Sequence, residues 1–249
     1  MVTEKIFGIH AVQAVLARSP ERVVSLYVQN GRADKRLKDV LSLASSSSTS
    51  VTQRPREELD KMVEGRHQGV IALVEPAPEF REQDLPDLVA AAGSAALILV
   101  LDGVTDPHNL GACLRSADAA GVTAVIAPKD NSVGLGATVF KVACGAADVV
   151  PFIQVTNLAR SLQQMQQAGI WVVGMAGEAE ASLYERDLRG PIAVVMGAEG
   201  AGMRRLTREN CDYLAKLPMA GSVSSLNVSV ATGVCLFEVV RQRQSSSIG

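Results

Sequence analysis

Three segments of this chain concentrate polar side chains where apolar runs end. In the first, Leu101–Gly121 (LDGVTDPHNLGACLRSADAAG), Asn109 precedes Leu110, Cys113, Leu114 and Ala117, and Arg115 falls off that stripe. The i, i+3, i+4, i+7 spacing predicts a helix with Asn109 as its N-cap. A helix start can hold an anion such as a phosphate, and an arginine beside it adds charge-assisted hydrogen bonds. The same pair also fits an ordinary cap and a solvated arginine. In the second segment, Ile192–Leu206 (IAVVMGAEGAGMRRL), an apolar run ends at Met196 and Gly197, and Gly200 and Gly202 follow. Glycines let backbone approach a ligand closely. The run fits neither GxGxxG nor GxxxxGKS/T, so it is a weak phosphate cradle, and Glu199 within it also reads as a solvent-facing carboxylate. The third segment, Leu217–Glu238 (LPMAGSVSSLNVSVATGVCLFE), passes Met219, Ser222, Ser224, Ser225 and Leu226 to Asn227 and Ser229. Hydroxyls and amides this dense between two apolar elements must find hydrogen bonds, from helix capping, a tight turn or a polar ligand.

The elements that must position these residues alternate from residue 95 onward. Strands are predicted at 95–101, 124–127, 149–152, 170–174, 192–196 and 213–216, and helices at 109–120, 136–144, 157–168 and 228–241. Continuous apolar strands separated by helices predict an α/β fold with a mainly parallel sheet covered on both faces. Ligands of such sheets bind beyond the carboxyl ends of the strands, where the three segments lie. The N-terminal third reads as a smaller α/β unit: helix 8–16, strand 23–28 ending at Asn30-Gly31, helix 36–43, a polar loop 45–50, helix 56–62 and strand 69–74. Pro76, Pro78 and Pro86 mark a linker. The boundaries read as domain 1–75, linker 76–94 and domain 95–249.

Net charge is −2, which argues against RNA binding through bulk electrostatics, but the distribution is uneven. Residues 1–74 carry 11 Lys/Arg and 8 Asp/Glu, whereas residues 75–249 carry 13 and 18. The basic excess includes Arg32, Lys35, Arg36 and Lys38, either a solvated helix face or a nucleic-acid contact. His67, in a turn before a strand, is a further candidate for that contact. His10 and His108 read as structural. Cys113, Cys144, Cys211 and Cys235 are too scattered for a zinc motif and read as reduced, packed thiols, which implies a cytoplasmic protein without metal. No apolar run reaches the roughly 20 residues of a membrane span, and the first residues do not read as a secretory signal.

Taken together, the three segments resemble the signature motifs of the SpoU (TrmH-like) branch of the SPOUT RNA methyltransferases. Asn109 is followed six residues later by Arg115; GAEGAG supplies Gly197, Glu199 and Gly200; MAGSVSSLNVSVA supplies Ser225, Leu226 and Asn227. FGIHAVQAVL and HQGVIALV resemble the small RNA-binding domain of the family, so the resemblance covers nearly the whole chain. It implies a deep trefoil knot in the C-terminal domain, a ribosomal-protein-like N-terminal domain, and a homodimer through the knotted domains. It implies S-adenosylmethionine as methyl donor, its adenine held by backbone near Gly197, Leu217 and Leu226, with Met196, Gly200 and Met219 in the same pocket. Arg115 would lie near the ribose 2′-hydroxyl, as base or as electrostatic stabiliser. Asn109 and Glu199 would orient Arg115 and the ribose, and Ser225 and Asn227 would complete the pocket. The implied substrate is a guanosine ribose of 23S ribosomal RNA, free or in an assembling large subunit. The alternatives are a transfer RNA, a ribosomal site tied to antibiotic resistance, or a non-catalytic RNA-binding assembly factor. A dehydrogenase-like nucleotide enzyme is disfavoured by the missing GxGxxG.

Overall fold

The computed structural model describes residues 3–32, 34–76 and 79–245, with Arg18 by its main chain only. The chain divides into two units, Met1–Pro78 and Glu79–Gly249.

The first unit comprises β1 (Glu4–Phe7), α1 (Ile9–Arg18), β2 (Val23–Gln29), α2 (Lys35–Ser46), β3 (Val51–Arg54), α3 (Arg56–Met62) and β4 (Val70–Val74). The sheet order is β1-β4-β2-β3, with β4 antiparallel to β1 and β2, and β3 parallel to β2. The stripe Ile9, Val12, Val15 and Leu16 packs with Leu37, Val40 and Ala44 of α2 and with inward residues of β2 and β4. Removing such side chains from water is the main stabilising term, about 1.5–3 kcal/mol for each large aliphatic. Asp34 caps α2 by accepting from the N–H groups of Arg36 and Leu37. The adjacent Arg32 guanidinium holds the Asp34 carboxyl below the usual carboxylate range. Two strands escape the sequence pattern. β1 and β3 expose much of their polar sequences EKIF and VTQR, so neither shows a buried run. The expected loop 45–50 is shorter than read, because α2 continues through Ser46.

In the second unit follow α4 (Leu85–Ala92), β5 (Leu97–Asp102), α5 (Pro107–Ala119), β6 (Ala124–Pro128), α6 (Ala137–Ala143), β7 (Phe152–Val155), α7 (Leu158–Gln167), β8 (Trp171–Met175), β9 (Ile192–Gly197), α8 (Arg205–Glu209), β10 (Tyr213–Ala215) and α9 (Val228–Ser245). Of the expected linker 76–94, residues 77 and 78 lie outside the described residues, and 85–92 form a packed helix instead. Leu85 and Val89 of α4 are buried in the core, and Pro86 sits in the first helical turn, where its missing N–H costs nothing. The strand expected at 149–152 begins only at Phe152, because the preceding apolar residues form a buried turn.

All neighbours in the six-stranded sheet, order β10-β8-β9-β5-β6-β7, are parallel. Alternate residues of its strands face opposite layers. Leu97, Leu99 and Leu101 pack with α5, α6 and α9, whereas Ile98 and Val100 pack with α4 and α7. β5 lies between β6 and β9, so the chain progresses outward from it in one direction and later resumes on its other side. That reversal is a topological switch point, and it leaves a crevice at the carboxyl ends of β5 and β9. Asp102 and Gly197 stand opposite each other in register at those ends.

Candidate active site

The switch point is closed by the loop after β9. Ala198 and Gly202 exchange both backbone hydrogen bonds (3.0 and 2.9 Å), so the glycine-rich segment forms a tight reversal rather than an open phosphate loop. Gly197 is required there, since a Cβ on it would lie 2.3 Å from the backbone of Gly202 and Met203. The wholly buried carboxylate of Asp102 clamps the loop from below. It accepts from the Arg204 backbone N–H at 2.8 Å and from Arg204 Nε at 2.6 Å. A buried carboxylate needs such partners to offset its lost hydration. Sequence reasoning assigned a role to neither residue, although Asp102 ends an apolar strand, which is the available signal.

The reversal delivers Glu199 to the starts of two helices. Glu199 Oε1 accepts from Asn227 Nδ2 (2.6 Å), Asn109 Nδ2 (3.3 Å) and the Val228 N–H (3.3 Å). Asn227 Nδ2 also donates to Asn109 Oδ1 at 3.0 Å. Asn227 is the N-cap of α9 as well, because its Oδ1 accepts from the Ser229 N–H (2.9 Å) and hydroxyl (2.6 Å). The carboxylate therefore meets the partly positive start of α9. Every polar segment contributes to this network, which joins positions 109, 199 and 227. Asn109 does not cap α5 as expected. Asp106 does, one turn earlier, accepting from the His108 N–H at 2.8 Å, which frees the Asn109 amide for Glu199.

Arg115 lies two turns along α5, exposed and off the buried stripe of Leu110, Cys113, Leu114 and Ala117. Among the described residues, the hydrogen bonds of Asn109 and Glu199 join them to each other and to Asn227 and Val228 and not to Arg115. Among the described residues its Nη1 donates to Cys144 Sγ at 3.7 Å. Cys144 is exposed, so the expectation of four packed thiols fails there. Burial pushes the thiols of Cys113 up to about 11 and of Cys235 and Cys211 up to about 12, which suits inert packing. Ser225 is exposed and enters none of the bonds around Glu199. Of the expected cofactor residues, Met196 is buried and Leu217 packs on the same core face, while Gly197 and Met219 are half-buried and Gly200 and Leu226 exposed. Among the described residues no group of three or more His, Cys, Asp or Glu side chains is placed to hold a metal.

A separate cleft of about 310 Å³ lies in the first unit, lined in part by Gln29, Arg32, Arg36, Arg56, Arg66 and Gln68. Arg56 and Arg66 were missed, being scattered in sequence and not part of the run at 32–38. Arg32 is held by the Asp34 carboxylate and the Gln68 carbonyl. Lys35 is exposed but outside this lining. His67 also lines this cleft, though it is only 4% exposed. Its Nδ1 accepts from the Gly69 N–H (3.0 Å), so Nε2 donates to Asp60 Oδ1 (2.8 Å), and the ring braces the turn below the cleft. His10, read as structural, is exposed on α1.

Comparison with known proteins bears on both units. The family described as SpoU rRNA Methylase matches residues 96–237, and the one described as RNA 2′-O ribose methyltransferase substrate binding matches residues 5–80. The chain is 62% identical to the 23S rRNA (guanosine-2′-O-)-methyltransferase RlmB of Pseudomonas putida, over 97% of each chain. It is 59% identical to the RlmB of Escherichia coli K12, over 97% of this chain and all of that one. Among solved structures, the SpoU methyltransferase AviRb from Streptomyces viridochromogenes, in complex with the cofactor AdoMet, superposes with a TM-score of 0.72 at 24% identity, over 98% of this chain and 91% of that one. That likeness establishes a common fold.

Proposed function

The chain belongs to the SpoU rRNA methylase family, and from that premise we propose that it transfers a methyl group to the ribose 2′-hydroxyl of a specific guanosine in 23S ribosomal RNA. The observation that carries this reading is the hydrogen-bonded meeting of Asn109, Glu199 and Asn227 at the switch point, with Arg115 on the same helix as Asn109. S-adenosylmethionine supplies the methyl group as a sulfonium electrophile. Met196, Gly197, Gly200, Leu217, Met219 and Leu226 would hold it. This set fits an adenosine, because close-packed backbone at Gly197 adjoins apolar Met196 and Leu217, with the exposed Leu226 beside a polar loop.

The remaining work falls to this chain's own side chains. Arg115 acts as an electrostatic group, its fixed fork of N–H donors matching a phosphate, and the 2′-hydroxyl proton passes to solvent as the methyl group is transferred. Arg115 binds the phosphate next to the target ribose and stabilises the developing 2′-alkoxide. The amides of Asn109 and Asn227, fixed by Glu199, orient the ribose, and Ser225 lines the pocket from the third loop. The first unit grips flanking RNA through Arg32, Arg36, Arg56 and Arg66, with Lys35 adding charge nearby.

We place the enzyme in the cytoplasm, where its RNA is made. No helix among the described residues is long and apolar enough to cross a membrane. We also infer a homodimer. Val230 and Phe237, one heptad apart on α9, and Phe140 on α6 are large apolar side chains left 53%, 49% and 40% exposed. The trefoil knot would be formed where the segment between Gly197 and Val228 passes the Glu199 network.

The test is methyl transfer from labelled S-adenosylmethionine to unmodified large-subunit RNA, small-subunit RNA and transfer RNA, each digested to nucleosides. Label in 2′-O-methylguanosine from large-subunit RNA alone is expected. Label in transfer RNA would overturn the substrate, and no label with cofactor still bound would overturn the activity on free RNA.

A further inference from the structure

We propose that Cys144 is a positioning residue that aims Arg115, an inference that rests on the methyltransferase reading above. Three features converge on this pair. Gly111 lies one helical turn before Arg115 on the same face of α5. A Cβ there would meet Val142 Cβ at 2.7 Å and the Val139 carbonyl at 3.0 Å, so α6 rests directly on the backbone of α5. This close approach fixes where the end of α6 falls relative to Arg115. The residue at that end is Cys144, the C-cap, with φ +53 in the left-handed region. Left-handed C-caps favour glycine, and glycine stands at the next position, yet a side chain occupies the strained one. That side chain has two bonds of opposite sense: the sulfur accepts from Arg115 Nη1 at 3.7 Å, and the thiol donates to the Lys141 carbonyl at 3.9 Å.

The physical consequence is preorganisation. An exposed arginine samples many rotamers, and ordering it at the moment of RNA binding costs free energy and alignment. A soft acceptor on a fixed cap restricts the guanidinium without neutralising it, as a carboxylate partner would. Cys144 therefore acts through Arg115 and touches neither substrate.

The experiment uses the full-length enzyme with Cys144→Ala, Cys144→Ser and Arg115→Lys, singly and combined. Cys144→Ala is expected to lower kcat about three- to tenfold, the worth of one hydrogen bond, with unchanged KM for S-adenosylmethionine. Cys144→Ser, which restores an acceptor, recovers most of the loss. In the Arg115→Lys background, Cys144→Ala adds little. The guanidinium ¹⁵N resonances of Arg115 are expected to shift in Cys144→Ala and to return toward wild type in Cys144→Ser. An equal loss in both backgrounds, an unchanged kcat in Cys144→Ala, or unmoved Arg115 resonances would overturn the proposal. An inactive wild-type enzyme would strike the methyltransferase reading instead, and the resonances would still decide whether Cys144 holds Arg115.

Discussion

Glu199 accepts hydrogen bonds from three donors on two helices, whereas among the described residues Arg115, on one of those helices, rests on a single sulfur. The first corner is over-determined. Its members satisfy one another, cap α9 and tie together three distant stretches of chain. The second is exposed and lightly held, with its charge free to meet an anion. The difference separates scaffold from reagent. Groups that shape a pocket gain from mutual hydrogen bonding, but a cation that must bind phosphate and a developing alkoxide loses its use if a carboxylate neutralises it.

Replacing the reagent should have the largest effect. Arg115→Ala is expected to lower turnover about 10³-fold with S-adenosylmethionine affinity, read by calorimetry, unchanged. Weakened cofactor binding in this variant would place Arg115 in the scaffold and erase the contrast. Gly197→Ala attacks the scaffold from its root, since the new Cβ would overlap the Gly202–Met203 backbone at 2.3 Å. A loss of about 1–3 kcal/mol in denaturant unfolding is expected, together with weaker cofactor binding, the converse of the Arg115 pattern. Glu199→Ala removes the shared acceptor and should lower kcat about tenfold, with a smaller change in stability because the exposed amides can turn to water. In the other unit, Arg56→Ala and Arg66→Ala should each weaken RNA binding about threefold and reduce its salt slope by about one, leaving cofactor affinity and single-turnover rate at saturating RNA untouched. Unchanged RNA affinity in both would move the RNA surface off this cleft.

How far these arrangements can be read in advance depends on the residue. The central strands β5, β6 and β9 are legible because burial on both faces makes them continuous apolar runs, and the α5 stripe because one face is buried at helical period. β3 is not, since an exposed edge strand needs no apolar pattern. α4 is masked by Pro86 and neighbouring charges, though a first-turn proline is compatible with a helix. The Asn109 cap is misplaced because Asp106-Pro107 offers an equally good start one turn earlier. Periodicity alone gives no sign that positions 109, 199 and 227 meet, because the contact depends on the sheet order and on a reversal that Gly197, Gly200 and Gly202 permit. The resemblance grouped them by motif, but not their pairing. His67 shows the same limit. Its place in a turn beside arginines is legible, but the hydrogen bonds of its ring to Asp60 and Gly69 follow only from the fold.

The central claim is that the methyl group goes to a ribose oxygen. Alkaline hydrolysis of RNA proceeds through the 2′-hydroxyl, so a methylated ribose protects the adjoining phosphodiester. After labelled transfer to unmodified 23S RNA, complete alkaline digestion should release the label in an alkali-stable dinucleotide beginning with guanosine. Label released as a mononucleotide would mean methylation of a base and would contradict the account.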